Sequence, residues 1–500
     1  MIEGLLIGLS AAITPFNLMM VVMGCVIGTL IGMLPGLGPM SIIAIMIPVA
    51  IGIGDPAAAL ILLSGVYYGA IFGGSTSSIL LNAPGVAGTV ATSFDGYPMA
   101  RKGQAGKALT IAAIASFAGG TIGAVLLMVF APALSTVALL FHSAEYFALM
   151  VVGLSAIAAF AGTGQVAKAL MMTILGLMLG TVGEGALSNM PRFTFGMMEL
   201  QSGFSFITLA MAMFALPEAL FLVMNPARAA TGDTGKITGM RITRAEARSI
   251  APVIGRQSLQ GFFIGVLPGA GATIASFLGY AVERNIAKGA EQEEFGKGSI
   301  KGLAAPETAN NAACTGSFVP LLTLGVPGSG TTAVLLGALL VMGVNPGPAM
   351  MEQRPDVFWG VVASMYIGNI FLLVLNLPLI PLIAKILDLP RPLLLSMILI
   401  FCMIGVYGLS FSVFDLFLLL GFGLIGLGMR LFGFPAAPLI LALILGSLME
   451  ESMRRALQIS GGDWGIFIAK PIALGLLSLA LLSLFMPMFK KLRKRKALNS

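Results

Sequence analysis

Charge is scarce in this 500-residue chain: Asp, Glu, Lys and Arg make up 10% of it, against roughly 25% in soluble domains. Between Gly4 and Phe94 the only charged side chain is Asp55, and between Gly302 and Met351 it is Glu307. A water-soluble globular protein is excluded. Histidine is almost missing too. The single one, His142, lies at the end of an apolar segment and reads as a surface residue. It cannot easily serve a buried catalytic triad. His-Glu-x-x-His, Gly-x-Ser-x-Gly, a Gly-Lys-Ser/Thr phosphate loop and an acidic two-metal cluster are all absent, so neither an enzyme nor ATP-driven chemistry is indicated. Cys25, Cys314 and Cys402 sit in apolar stretches, which excludes a disulfide framework and a metal-ligand spacing. The N-terminus has Glu3 and no basic region, a poor fit to a cleavable signal peptide.

What abounds is apolar: 57% of residues are hydrophobic. The mean hydropathy is +0.99. Runs of about 20 apolar residues recur, which predicts an all-α polytopic membrane protein of roughly 10–14 membrane segments. The short alternating segments of a β-barrel are not seen. The basic excess does not point to nucleic acid, because Lys and Arg cluster at 96–107, 226–258, 283–301 and 490–500. That clustering suits cytoplasmic loops facing a lipid bilayer, with the basic tail as a cytoplasmic anchor.

One heptapeptide occurs twice. Gly32-Met33-Leu34-Pro35-Gly36-Leu37-Gly38 returns as Gly265-Val266-Leu267-Pro268-Gly269-Ala270-Gly271. Each copy is followed by a second break, Asn82-Ala83-Pro84-Gly85 in one half and Gly325-Val326-Pro327-Gly328 in the other. Proline removes an amide donor, and glycine lets a ligand approach the backbone closely. Freed backbone at membrane depth is tolerated only on protein or in a wet cavity. Paired interruptions in two halves point to a transporter's binding site, with amides for carboxylates and carbonyls for Na⁺. Counting spans back from the tail puts 101–107 and 226–258 inside and 345–356 outside. The corresponding loops 52–56 and 283–301 also fall on opposite faces. We therefore expect two inverted-topology repeats with broken or re-entrant helices: repeat one at 1–225, a cytoplasmic linker at 226–258, repeat two at 259–489 and the tail at 490–500.

The expected substrate- or ion-binding residues are Pro35, Gly36, Gly38, Ser75, Thr76, Ser77, Asn82, Pro84 and Gly85 in the first half. In the second they are Pro268, Gly269, Gly271, Thr308, Asn310, Asn311, Pro327 and Gly328. Hydroxyls and amides can coordinate Na⁺ and donate to a carboxylate without burying net charge. Glu307, directly after Pro306, is either a titratable group or a helix N-cap. Asp415, Arg430, Glu145 and Lys168 read as interfacial or structurally paired, and Trp359 with Tyr366 as interface belt or packing. No cofactor is expected and no metal beyond a transported Na⁺, with H⁺ as the alternative coupling ion.

Six segments carry a family resemblance: 32–39, Tyr67-Tyr68-Gly69-Ala70-Ile71-Phe72-Gly73-Gly74-Ser75, Asp95-Gly96-Tyr97-Pro98, 265–271, Pro306-Glu307-Thr308-Ala309-Asn310-Asn311-Ala312-Ala313 and Gly343-Val344-Asn345-Pro346-Gly347-Pro348. The chain resembles the TctA-type large membrane subunit of the tripartite tricarboxylate transporter family. That resemblance implies a bacterial inner-membrane carrier importing carboxylates on an ion gradient. It also implies two protein partners, a small membrane subunit and a periplasmic substrate-binding protein. An ion channel and a stand-alone sodium or proton antiporter are the alternatives.

Overall fold

A computed structural model describes residues 2–34, 37–160, 165–185, 190–224, 237, 239–269, 271–385 and 391–483. Pro35, Gly36, positions 226–236 and 238 of the expected linker, and the tail 490–500 lie outside the described residues.

Proline opens several of the helices, where its missing N–H costs nothing. In the first half α1 (Ile2–Ala12) and α2 (Pro15–Gly32) lead to the first glycine-proline segment, then α3 (Pro39–Gly52) and α4 (Pro56–Leu81) follow. Asp55, the lone charge of that region, is the N-cap of α4 and accepts from the amides of Ala57 and Ala58 at 3.2 and 3.3 Å. Next come a 3-10 turn (Ala87–Thr89), α5 (Val90–Met99) and α6 (Ala105–Ala138). The expected basic loop at 101–107 is a helical kink at Gly103, whose φ is 77°. α7 (Ser143–Phe160), α8 (Val166–Gly180), a short hairpin β1 (Gly183–Glu184) with β2 (Pro191–Arg192), α9 (Phe206–Ala210) and α10 (Leu216–Met224) complete the half.

In the second half α11 (Arg244–Val266) starts inside the expected linker, at a Thr243–Glu246 capping box. α12 (Gly271–Ile286), α13 (Ala290–Glu294), α14 (Ile300–Gly316), α15 (Phe318–Leu324) and α16 (Gly330–Val341) surround the second pair of breaks. Then follow α17 (Met350–Gln353), α18 (Pro355–Asn376), α19 (Ile380–Ile383), α20 (Arg391–Ser410), α21 (Val413–Leu431), α22 (Ala436–Ile459) and α23 (Ile466–Ala469). An apolar α24 (Pro471–Ser483) is the final described helix. Among the described residues six helical stretches are long and apolar enough to cross a membrane. The chain is an all-α polytopic membrane protein.

Small residues decide which helices pair. In a bilayer, apolar contact between helices gains little over contact with lipid, so close backbone approach does the work. α2 lies on α4 through facing glycines: a Cβ at Gly28 would stand 2.3 Å from the Val66 oxygen, and one at Gly73 would stand 2.1 Å from the Thr29 oxygen. α11 lies on α14 in the same way, with Gly261 at 2.3 Å from the Ala309 oxygen and Gly265 at 2.2 Å from that of Ala313. α4 and α14 are the innermost helices, buried from Ala57 to Leu80 and from Gly302 to Gly316. The stacked rings of Tyr67, Tyr68 and Phe318 join the two halves at 5.8–6.1 Å between centroids for the Phe318 pairs. Trp359 is packing rather than belt, since Gly4 of α1 sits on its ring.

Isolated charges pair structurally. Arg430 binds Glu218 and covers the Phe221 ring at 4.2 Å. Lys168 donates to the Phe432 carbonyl at 2.6 Å, and Glu145 accepts the His142 amide at 3.0 Å. His142 is exposed, as expected.

Candidate functional site

Glu307 is not a helix cap. α14 starts seven residues earlier at Ile300, capped by Ser299, which accepts the Gly302 amide at 3.1 Å. Glu307 therefore lies mid-helix, fully buried, and its carboxylate points at the other half of the chain. Ser75 of α4 and Ser116 of α6 each donate to Oε2 at 2.7 Å, and Thr92 of α5 donates to Oε1. Three hydroxyls satisfy the hydrogen-bonding capacity of a buried carboxyl group that has no basic partner among them.

One turn further along α14 stand Asn310 and Asn311. The Asn311 amide donates to the Glu307 carbonyl at 2.9 Å and to Asn310 Oδ1 at 2.6 Å. That orients Asn310, which donates to the Gly88 carbonyl at 3.2 Å, just beyond the first half's second break. Other expected members bond locally: Ser77 to the Gly74 carbonyl at 3.1 Å and Thr308 to that of Ala304 at 2.9 Å. Thr76 lines a small cavity with Ser75 and Ser116. Asn82 is an exposed left-handed C-cap of α4, with φ 52°.

The breaks meet in pairs. Gly85 lies on the end of α2, where a Cβ would stand 2.0 Å from the Gly32 oxygen. Gly328 lies on the end of α11, at 2.6 Å from the Gly265 oxygen, and its carbonyl accepts the Gly269 amide at 3.0 Å. Contacts between halves are reciprocal. Gly88, after the first half's second break, faces Ala272 at the start of α12, where a Cβ would stand 3.5 Å from the Ala272 methyl. Gly330, after the second half's second break, faces Met40 at the start of α3, where a Cβ would stand 2.8 Å from the sulfur. Gly271 closes the ring against Ser329, where a Cβ would stand 3.2 Å from the Ser329 Cβ. The starts of α3, α12, α16 and the 3-10 turn at Ala87 thus converge, and their sequences carry no Lys or Arg. Such starts present free amides and partial positive charge.

Pattern reading passed over Thr92, Ser116 and Gly88, whose only signal was one small polar or flexible residue in a long apolar run. Asp95 it named in a motif and, beside Glu307, as a titratable group for the antiporter alternative. Its Oδ1 accepts the amides of Gly296, Gly298 and Ser299 at 2.9, 2.8 and 2.7 Å, which staples α5 to the start of α14.

The model of a family described as the tripartite tricarboxylate transporter TctA family matches residues 18–441. An uncharacterised 52.8 kDa protein in the TAR-I ttuC' 3' region of Agrobacterium vitis is 42% identical over 496 residues, 99% of this chain and 98% of its own. An uncharacterised protein in the TAR-II ttuC' 3' region of the same organism is 44% identical over 236 residues, 47% of this chain and 97% of its own. No solved structure matches.

Proposed function

The chain belongs to the tripartite tricarboxylate transporter TctA family, and from that premise we propose that it is the large membrane subunit of an ion-driven importer of small carboxylates. The family is one of transporter components, not of enzymes. In this reading a periplasmic binding protein delivers substrate, a small membrane subunit completes the complex, and the chain sits in a bacterial inner membrane with its C-terminus cytoplasmic.

The convergence of four helix starts at the paired breaks carries the proposal. A di- or trianion cannot enter a dry core without several donors. Free amides at helix starts provide them without a fixed cation, which also lets the anion leave. The lengths agree with re-entrant helices: α3 has 14 residues, about 21 Å, and α16 has 12, about 18 Å, against a core of about 30 Å. Reciprocal contacts between the halves support an inverted repeat working by alternating access around this ring. Na⁺ is the preferred coupling ion, because neutral oxygens outnumber acids among the buried groups of α4 and α14. Neither a channel nor a stand-alone antiporter draws support from these contacts.

Uptake of radiolabelled citrate and smaller carboxylates into vesicles, with binding protein and small subunit supplied, tests the reading. Accumulation should need the binding protein and an inward Na⁺ gradient. Uptake that follows a pH gradient and ignores Na⁺ removes the ion assignment, and no carboxylate uptake under either gradient removes the function.

A further inference from the structure

A small cavity lies between α4, α6 and α18, beside Glu307 and away from the converging helix starts. Its polar lining is Ser75, Thr76, Ser116 and Asn376. Its volume is ≈ 10 Å³, about one water-sized sphere, so no carboxylate fits. Asn376, the last residue of α18, is 4% exposed. Its amide nitrogen donates to the Leu372 carbonyl at 2.9 Å, while its Oδ1 is buried with no partner. Buried polar atoms are seldom left so, and each asks for an explanation.

The oxygens of the lining say what belongs there. Ser75 and Ser116 place their hydroxyls on Glu307 Oε2 at 2.7 Å each, which leaves lone pairs on both oxygens. The Thr76 hydroxyl and the unpartnered Asn376 Oδ1 bring the oxygens to four. A water could hydrogen-bond among them but would leave the Glu307 carboxylate without a cation. A bare cation takes their lone pairs and balances that charge. Glu307 supplies one negative charge one bond away, which matches a monovalent ion; divalent ions ordinarily gather more carboxylates. We infer that this cavity is the binding site of one dehydrated Na⁺, held by Ser75, Thr76, Ser116 and Asn376 Oδ1, with Glu307 as the balancing charge behind the two serines.

The inference rests on the ion-coupled reading above, but its test does not use transport. The melting temperature of the purified full-length chain is followed as NaCl replaces choline chloride at constant ionic strength, without substrate or partners. The wild type should show a saturable rise with Na⁺ that choline does not give. Asn376→Leu should weaken the apparent Na⁺ affinity about 10- to 150-fold while melting normally in choline; Ser116→Ala, which also takes a donor from Glu307, should weaken it as much from a lower melting temperature. Asn376→Asp, which keeps an oxygen in place, should retain the response. If Asn376→Leu does not fold, Thr76→Val carries the same expectation. A wild type indifferent to Na⁺, or a Na⁺ response that survives these substitutions, overturns the site. Failure of the site in this assay leaves the transporter reading standing or falling on the uptake assay above.

Discussion

Glu307 gathers hydroxyls from residues 232, 215 and 191 positions away in the chain. Each donates to a carboxylate, and losing one such bond costs about 1.5–3 kcal/mol. Glu307→Gln keeps the shape and removes the charge. Initial rates of carboxylate uptake should fall about 100-fold, with the protein still inserted at wild-type amounts on immunoblots. Normal uptake would make the carboxylate a structural group. Asn310→Ala loses the tie to the Gly88 carbonyl, and Asn311→Ala lets the Asn310 amide turn. Both should slow uptake about tenfold or more, and normal uptake in the double variant would return the pair to packing. Ser329 caps α16, its hydroxyl accepting the Thr332 amide at 3.2 Å, so Ser329→Ala should act on stability more than on uptake.

Among elements, the tight glycine seams are the places where a methyl group cannot enter. Gly28→Ala forces α2 off α4 and Gly265→Ala forces α11 off α14, because each new Cβ meets a backbone oxygen at 2.3 or 2.2 Å. A cost of about 1–3 kcal/mol is expected for each. Gly421→Ala in the interior of α21 meets nothing within 4 Å and should be neutral or slightly stabilising. Thermal unfolding in detergent ranks the three; equal melting temperatures would mean that the seams do not hold the bundle.

The start of α11 offers a pH prediction. Lys107 donates to Glu246 at 2.8 Å, and this bond is the main reason the Glu246 carboxyl is lowered to about 2. A lowered folded value means stability present above the ordinary carboxyl range and lost as pH falls through about 2. Both side chains are partly exposed, so the contribution is about 1 kcal/mol or less. The stability difference between wild type and Glu246→Gln should persist at pH 5 and vanish towards pH 2. A difference unchanged over that range would rule the pairing out.

For the whole molecule, the proposed inverted repeat requires 345–356 to face the periplasm and the linker to face the cytoplasm. A cysteine at Gln353 should label from outside, and one at Thr234, which lies outside the described residues, should not. The reverse pattern would break both the orientation and the repeat.

Much of this architecture was legible in the sequence because its causes are local. Scarce charge and long apolar runs fix a helical membrane protein, since backbone in lipid must satisfy itself within each helix. Pro-Gly pairs end helices wherever they stand, so the ends of α2, α4, α11 and α15 could be read from composition. What the fold alone decided is who meets whom. Ser116, Thr92 and Asn376 look like stray polar residues in apolar helices until α5, α6 and α18 pack around α4 and α14. Glu307 reads as a cap after Pro306 until Ser299 takes the helix start and burial turns its carboxylate towards three distant hydroxyls. A buried charge is compensated by whatever the packed neighbours present, and those neighbours are set by helix contacts hundreds of residues apart in the chain.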